Sequence, residues 1–390
     1  MVGVISRGIK CPIIREGDNL VKIVVDNVLK ASKDDNFEIQ NQDVIGITES
    51  VVARAQGNYA TVKQIAADVK RKTGGGTIGV IFPILSRNRF AVCLKGIASA
   101  ADKVVLMLSY PCDEVGNCII DRTDYFDYGL LTLDQFNGTF ESYTHPWTKI
   151  NYIEYYSDII TSAGAECEII FSNNPIDIFR YTTTVIVGSI HNRFEIIEKL
   201  KRKCNSKFIY GLHDILAEPV EGSGYNKEYG LLGSNKVDEN KIKLFPRTEE
   251  SFALVNKIKK EIFNKTGKNV FIMVYGDGAF KDPTCQIWEL ADPVVSPAFT
   301  KGLEGSPNEL KLKYLADNQF AKLNGQELDN AIINAIKKKD KNLSGNMLAE
   351  GTTPRKYVDL LGSLCDLTSG SGDKGTPIVL IQNYFKNYAN

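Results

Sequence analysis

Residues 229–236 read Tyr-Gly-Leu-Leu-Gly-Ser-Asn-Lys, and residues 276–283 read Gly-Asp-Gly-Ala-Phe-Lys-Asp-Pro. Between these two loops lie a short apolar strand ending Leu-Phe-Pro-Arg at 244–247, an amphipathic segment that starts with acidic residues, and an apolar run at 270–274. The order strand, helix, strand predicts a βαβ-like unit flanked by two glycine-containing loops. The rest of the chain is interpreted around this unit.

The two flanking loops have the composition of a ligand site. Glycine lets the backbone approach a bulky anion closely, and a carboxylate just past a strand can hold a divalent cation. The unit therefore predicts a site for nucleotide phosphate and metal. The alternative is that both loops are surface turns that join ordinary elements.

The composition indicates a globular protein with more than one domain. The chain has 390 residues, 43% of them apolar and 24% charged, which allows roughly two or three domains with their own cores. Lys+Arg and Asp+Glu are equal at 47 each, so no overall basic charge attracts nucleic acid or an anionic membrane. Neither a signal peptide nor a transmembrane span is predicted. We expect a cytoplasmic protein that binds neither nucleic acid nor membrane.

The cysteines do not predict a metal site. No pair has the C-x-x-C spacing of common zinc sites, and the chain has only three histidines. We expect reduced and mostly buried cysteines. The eight cysteines are Cys11, Cys93, Cys112, Cys118, Cys167, Cys204, Cys285 and Cys365.

The N-terminal part offers two further candidates for an anion contact. Arg15 precedes a predicted helix with Asp18 as its N-cap, and either contacts an anion or is a solvated turn residue. Farther along, a buried strand at 44–47 turns through Thr-Glu-Ser directly into a helix. The hydroxyls there predict a helix cap, and the same geometry accepts phosphate. Ser50 is thus a candidate, and Arg54, one turn later, reaches the same anion.

The middle of the chain predicts a separate α/β domain. Strands alternate with amphipathic helices between residues 86 and 210, which favours a mainly parallel sheet. Its long loop at 113–147 is aromatic and acidic, and such loops often carry function. The glycine run at 74–76 lacks the Gly-Lys-Ser/Thr ending of a P-loop and predicts a hinge.

Four ordered blocks resemble the coenzyme F-420:L-glutamate ligase family. They are the Pro-Ile-Ile-Arg-Glu-Gly-Asp block at 12–18, the strand-to-helix block at 48–57, the unit at 229–283, and the helix, glycine loop and strand at 359–381. The resemblance implies an α+β, mixed-sheet ligase fold made of residues 1–85 and 211–390. Residues 86–210 are then an inserted α/β domain.

What the resemblance implies is a nucleotide- and metal-dependent amide (γ-glutamyl) ligase. Such an enzyme joins L-glutamate to a small-molecule carboxylate acceptor through an acyl phosphate, uses GTP or ATP with two Mg²⁺ or Mn²⁺ ions, and forms a homodimer. A folate-type γ-carboxylate is an alternative acceptor. The implied nucleotide contacts are Arg15, Ser50, Arg54, Asn235, Gly370 and Ser371, and the implied metal ligands are Asp277 and Asp282.

Three metal-facing positions depart from the family pattern. Leu232 stands where the family has a metal-binding Asp, Gly278 stands in place of a Thr, and Ser371 stands in place of a Gln. A leucine cannot ligate a hard cation, which requires oxygen. Either other carboxylates, such as Asp282 or Asp214, replace the missing ligand, or the chain is an altered family member that binds a metabolite or partner without ligase activity.

Overall fold

The computed structural model describes residues 3–276, 296–349, 355–369 and 373–389. Its strands form three sheets. The strands are β1 (Ile5–Ile9), β2 (Val44–Thr48), β3 (Tyr59–Thr61), β4 (Thr77–Ile81), β5 (Lys103–Leu108), β6 (Leu131–Thr132), β7 (Glu166–Phe171), β8 (Val185–Val187), β9 (Ile209–Gly211), β10 (Asn235–Asp238), β11 (Lys241–Lys243), β12 (Phe271–Tyr275), β13 (Ala298–Phe299) and β14 (Ile378–Gln382).

Most of the helices pack on the two larger sheets. They are α1 (Leu20–Asp34), α2 (Glu49–Ala55), α3 (Val62–Thr73), α4 (Phe90–Ala98), α5 (Leu133–Thr139), α6 (Tyr152–Ser162), α7 (Arg193–Lys203), α8 (Thr248–Thr266), α9 (Leu312–Tyr314), α10 (Gly325–Lys338) and α11 (Tyr357–Thr368). None of the helices in the described ranges is long and apolar enough to cross a membrane.

The five-stranded sheet has the order β1-β14-β2-β12-β13, and only β2 and β12 are parallel neighbours. Side chains of β2 alternate between two apolar layers: Ile45 and Ile47 face the core of α1 and α8, and Val44 faces the core of α11. Gly46 allows the close approach of α11, because a Cβ there would lie 2.4 Å from the Cys365 sulfur. The central strand is therefore buried on both faces.

The six-stranded sheet has the order β6-β7-β5-β4-β8-β9 and is parallel except for β6. One face packs on α3, α4 and α6, and the other on α7. The mixed and mainly parallel sheets together confirm the predicted α+β class with a mainly parallel α/β part. The domain boundaries at 85/86 and 210/211 stay a prediction; the sheet itself runs from Thr77 to Gly211.

A small antiparallel ribbon, β10-β11-β3, completes the fold. The strand predicted to end at 244–247 is shifted, since β11 ends at Lys243 and Leu244 and Phe245 follow it as buried loop residues. The glycine run predicted as a hinge ends α3, with Gly74 in the left-handed conformation at its C-cap, and leads directly into β4.

Two local predictions were wrong. The N-cap of α1 is Asn19, whose side chain accepts from the Lys22 N–H, while Asp18 accepts from the Arg15 N–H instead. Cys112 and Cys118 form a disulfide rather than remaining reduced. The loop between them folds around the buried Asp113 carboxylate and makes the two cysteines antiparallel bridge partners, and this proximity is not visible in the sequence.

Candidate functional site

The ends of four strands meet at one edge of the five-stranded sheet. Thr48 at the end of β2 is the register partner of Tyr275 at the end of β12. The Thr48 N–H donates to the carbonyl oxygen of Pro377, which directly precedes β14 (3.0 Å). On the other side of β14, the Cys11 N–H, just past β1, donates to the Gly375 carbonyl oxygen (3.0 Å). The loops that leave or enter these four strands therefore share one edge.

Helix α2 starts at this edge and presents two of the predicted residues on one side. Its inward side is formed by Glu49, Val52 and Ala53, which are buried. Ser50 is half-buried and Arg54 is exposed, and their i, i+4 spacing places them on the same outward side of the helix. Thr48 occupies the N-cap position, but its side chain makes no capping hydrogen bond. The predicted hydroxyl cap was wrong, since neither Thr48 nor Ser50 fulfils it.

The loop that carries Arg15 lies against the other end of α2. The Gly17 N–H donates to the carbonyl oxygen of Ala55 at 3.0 Å. The Glu16 side chain covers Gly57 so closely that a Cβ there would lie 2.5 Å from its Oε1. The structure thus brings the segments of Arg15 and Arg54 together, and both arginine side chains are exposed.

Asn235 is connected to α2 through a buried ion pair. It lies on β10 directly opposite Lys243 of β11, so the two side chains share one face of the ribbon. The Lys243 ammonium lies 2.6 Å from both carboxylate oxygens of Glu49, which precedes Ser50. The exposed fractions of the Lys243 and Glu49 side chains are 5% and 8%. This pair therefore fixes the start of α2 to the ribbon that carries Asn235.

Sequence reasoning did not single out Glu49 and Lys243. Lys243 occurs in the alternating run Lys-Ile-Lys, which resembles an ordinary exposed strand. The one available signal was the charged residue between the two hydroxyls of Thr-Glu-Ser, at the point where a buried strand turns into a helix. Its partner, far along the chain, could not be identified from spacing.

Arg247 closes the same region from the other side. Its guanidinium donates to the Asn58 side-chain oxygen (3.0 Å) and to the Gln56 carbonyl oxygen (2.8 Å), and pairs with Glu250 (2.5 Å). Asn58 is fully buried and also donates to the carbonyl oxygens of Tyr225 and Phe245. These bonds hold the loop after α2 against the start of α8.

The remaining predicted residues lie outside the described part of the chain. These are the nucleotide candidates Gly370 and Ser371 and the metal candidates Asp277 and Asp282. Gly278, the second departure from the family pattern, lies there as well. Within the described ranges, no group of three or more His, Cys, Asp or Glu residues is arranged to hold a metal ion.

Leu232 is part of the apolar core. It is only 2% exposed and belongs to the same hydrophobic cluster as Leu231, Leu244 and Phe245. A carboxylate at this position would be surrounded by hydrocarbon, which strongly disfavours its charged form. The structure therefore accounts for the leucine as a packing residue.

Comparison with known proteins bears on the whole chain. The family model described as F420-0:Gamma-glutamyl ligase matches residues 8–383, a range that also contains residues 86–210. No curated protein matches the chain. Because the family match covers nearly all of the sequence, this chain belongs to the F420-0:gamma-glutamyl ligase family.

Proposed function

We propose that the protein is a nucleotide- and divalent-metal-dependent amide ligase that joins L-glutamate to a carboxylate acceptor. The observation that carries the proposal is the shared edge of the five-stranded sheet. Ser50 lies where α2 leaves this edge, and Arg15 and Arg54 lie near the other end of that seven-residue helix. The two other loops of the resemblance lead away from β12 and into β14 at the edge.

The proposed reaction has two steps. An acceptor carboxylate oxygen attacks the γ-phosphorus of GTP or ATP, the bond to the bridging oxygen breaks, and an acyl phosphate and a nucleoside diphosphate form. The glutamate amine then attacks the acyl carbon, inorganic phosphate leaves, and the nitrogen loses a proton. The exposed guanidinium groups of Arg15 and Arg54 are suited to contact phosphate oxygens.

The described residues do not supply a ligand set for the two metal ions that the proposal includes. Mg²⁺ or Mn²⁺ would neutralise charge on the phosphates. The acidic candidates for its coordination, Asp277 and Asp282, lie outside the described residues. No step of the proposed mechanism is therefore assigned to a metal ligand.

Glu49 and Lys243 act in this proposal as positioning residues. Their buried pair joins β11 to the first turn of α2, and Ser50 and Arg54 lie on the opposite, open side of that helix. A helix of seven residues has few backbone bonds of its own. The pair therefore supplies a fixed attachment at the end where the helix starts.

A second candidate function is a family member that binds a small metabolite or partner without ligation. Burial of Leu232 in the core favours it, because this position offers no oxygen to a cation.

The ligase proposal has three further parts. They are a folate-type γ-carboxylate as an alternative acceptor, a homodimeric assembly and a cytoplasmic location.

Phosphate release tests the proposal. The protein is incubated with Mg²⁺ or Mn²⁺, GTP or ATP, L-glutamate and a panel of acids that includes a folate. We expect phosphate only when acceptor and amine are both present. Absence of nucleotide binding by calorimetry under every metal condition would refute the ligase, and acid binding without phosphate release would support the second candidate.

A variant pair locates the nucleotide at the sheet edge. Arg54→Gln removes a charge-assisted contact and is expected to weaken nucleotide binding about tenfold to a hundredfold. Arg202→Gln, in the last turn of α7, is the matched control and should bind nucleotide like the wild type. Equal nucleotide affinity in the two variants would show that the nucleotide does not bind at α2.

A further inference from the structure

A cavity of about 380 Å³ lies at the carboxyl edge of the six-stranded sheet. It is lined by residues that lie one or two positions after four different strands: Phe82 after β4, Ser109 after β5, Asn173 after β7 and Ser189 after β8. The volume falls in the range of about 300–1,000 Å³ that small-molecule sites occupy. None of the residues assigned to the sheet-edge site above lines it.

The topology of the sheet places this cavity at a switch point. The chain starts the parallel part at β4, moves outward on one side through β5 and β7, and then returns to the other side of β4 with β8 and β9. Loops that leave the carboxyl ends of β4 and β8 therefore diverge and leave a crevice between them. In open parallel sheets this crevice is where ligands bind.

Two carboxylates in the cavity wall, those of Asp113 and Glu114, already accept hydrogen bonds from the protein itself. The Glu114 carboxylate accepts from the Ser189 hydroxyl and from the backbone N–H groups of Ile190 and His191. The buried Asp113 carboxylate accepts from the N–H groups of Leu85, Val115 and Asn117 and from the Asn117 side chain. These carboxylates fix the loops and are not available to a ligand.

Two opposite charges on α7 are available. Glu195 and Lys199 both line the cavity, and their i, i+4 spacing favours an ion pair. They nevertheless do not pair: the Lys199 ammonium donates to the Asn174 side-chain oxygen at 3.2 Å, and the Glu195 carboxylate has no hydrogen-bond or ion-pair partner within the described residues. The cavity thus presents an anion and a cation one helical turn apart.

The same cavity is unsuited to a dinucleotide. The chain leaves β4 through Phe-Pro-Ile-Leu (82–85), which contains no glycine. The backbone there cannot approach a pyrophosphate closely, as the glycine loop of nucleotide-binding sheets does.

We propose that this cavity binds a free α-amino acid, with its ammonium group on Glu195 and its carboxylate on Lys199. A zwitterion of this size satisfies both charges, which a neutral sugar or a simple anion does not. The Asn192 side chain also lines the cavity, at the start of α7, and makes no capping bond to the helix. The site is independent of the proposed ligase reaction.

Calorimetry on the full chain, without nucleotide or metal, tests the proposal. Each common amino acid is titrated separately, and at least one is expected to bind. Glu195→Gln and Lys199→Gln should each weaken that binding about tenfold or more, because each removes a charge-assisted contact. Glu198→Gln and Lys201→Gln are matched controls, since both residues are exposed on the same helix and do not line the cavity.

Three results would overturn the proposal: no amino acid binds the wild type, binding persists in both cavity variants, or the control variants lose it equally. The ligase proposal fails separately. Loss of nucleotide-dependent phosphate release with amino-acid binding retained would refute the ligase alone. If phosphate is released and Glu195→Gln binds the amino acid as tightly as the wild type, the amino-acid site alone is refuted.

Discussion

The buried pair of Glu49 and Lys243 can be tested by replacing Lys243 with Met. The ammonium lies 2.6 Å from both carboxylate oxygens, and the side chains are only 8% and 5% exposed. In the variant, the Glu49 carboxylate stays buried but loses the positive charge that both its oxygens contact. Removing one partner of a buried pair costs about 3–5 kcal/mol of unfolding free energy.

The measurement is the free energy of unfolding in urea, followed by circular dichroism. Lys22→Met is the control, because it breaks an ion pair between two exposed side chains. The Lys22 side chain is 73% exposed and that of its partner Asp26 is 41% exposed. We expect no measurable change in the control. The double variant Glu49→Leu/Lys243→Met should recover most of the loss, since apolar residues of similar volume replace buried pairs with little cost.

Two results would refute this reasoning. If Lys243→Met is as stable as Lys22→Met, the buried pair does not hold α2 against the ribbon. If the double variant is as unstable as Lys243→Met, the loss comes from missing packing rather than from a buried carboxylate deprived of its cation.

Three further predictions concern single buried groups. Leu232→Asp should lower the melting temperature strongly and should not raise the affinity for Mn²⁺, because the new carboxylate would be buried among apolar side chains. The control Met347→Asp, at a position that is 71% exposed, should leave the melting temperature unchanged. A gain in Mn²⁺ affinity in Leu232→Asp would contradict this prediction. Burial raises the pKa of the Asp113 carboxyl from 3.8 to about 6. The folded state therefore binds the carboxyl proton more tightly than the unfolded state, and the free energy of unfolding decreases as the pH rises from about 4 to about 6. Asp113→Asn should remove that part of the pH dependence of urea unfolding, and an unchanged profile would refute it. Asn58→Asp places a carboxylate oxygen against two backbone carbonyl oxygens and should lower the free energy of urea unfolding by about 2 kcal/mol or more. The control Asn256→Asp, at an exposed position, should lower it far less. Equal losses of unfolding free energy would contradict the hydrogen bonds assigned to Asn58.

The main elements of the five-stranded sheet were predictable because their strands are short and almost entirely apolar. Residues 44–47, 270–274 and 378–382 were each identified as strands, and β2, β12 and β14 lie there. Strands buried on both faces lose the alternation of polar and apolar residues, so continuous apolar runs identify them. Their order in the sheet depends on pairing across the chain and was not predictable.

The strand β4 escaped prediction because it follows three glycines and contains a fourth. Gly79 allows close packing, since a Cβ there would lie 2.6 Å from the Ile178 side chain. A glycine in such a position weakens the strand signal while satisfying the tertiary structure. The boundary predicted at residue 86 therefore fell after a strand that belongs to the six-stranded sheet.

The candidate site was predictable only where one segment carried its own signal. Ser50 and Arg54 followed from a strand that turns into a helix. The ion pair of Glu49 and Lys243 joins segments 194 residues apart, and charged residues in short strands normally face solvent. Only the fold shows that these two are buried together.

The position of β14 has a consequence for how the protein is made. It lies between β1 and β2, although it follows the other described strands of this sheet in the sequence. Until it is synthesised, β1 has no neighbour on which to pair, and the edge with Arg15 and Ser50 cannot assemble. The six-stranded sheet, whose strands are much nearer in sequence, can form earlier. We therefore expect the nascent chain to form the cavity first and the sheet-edge site only after β14 has been synthesised.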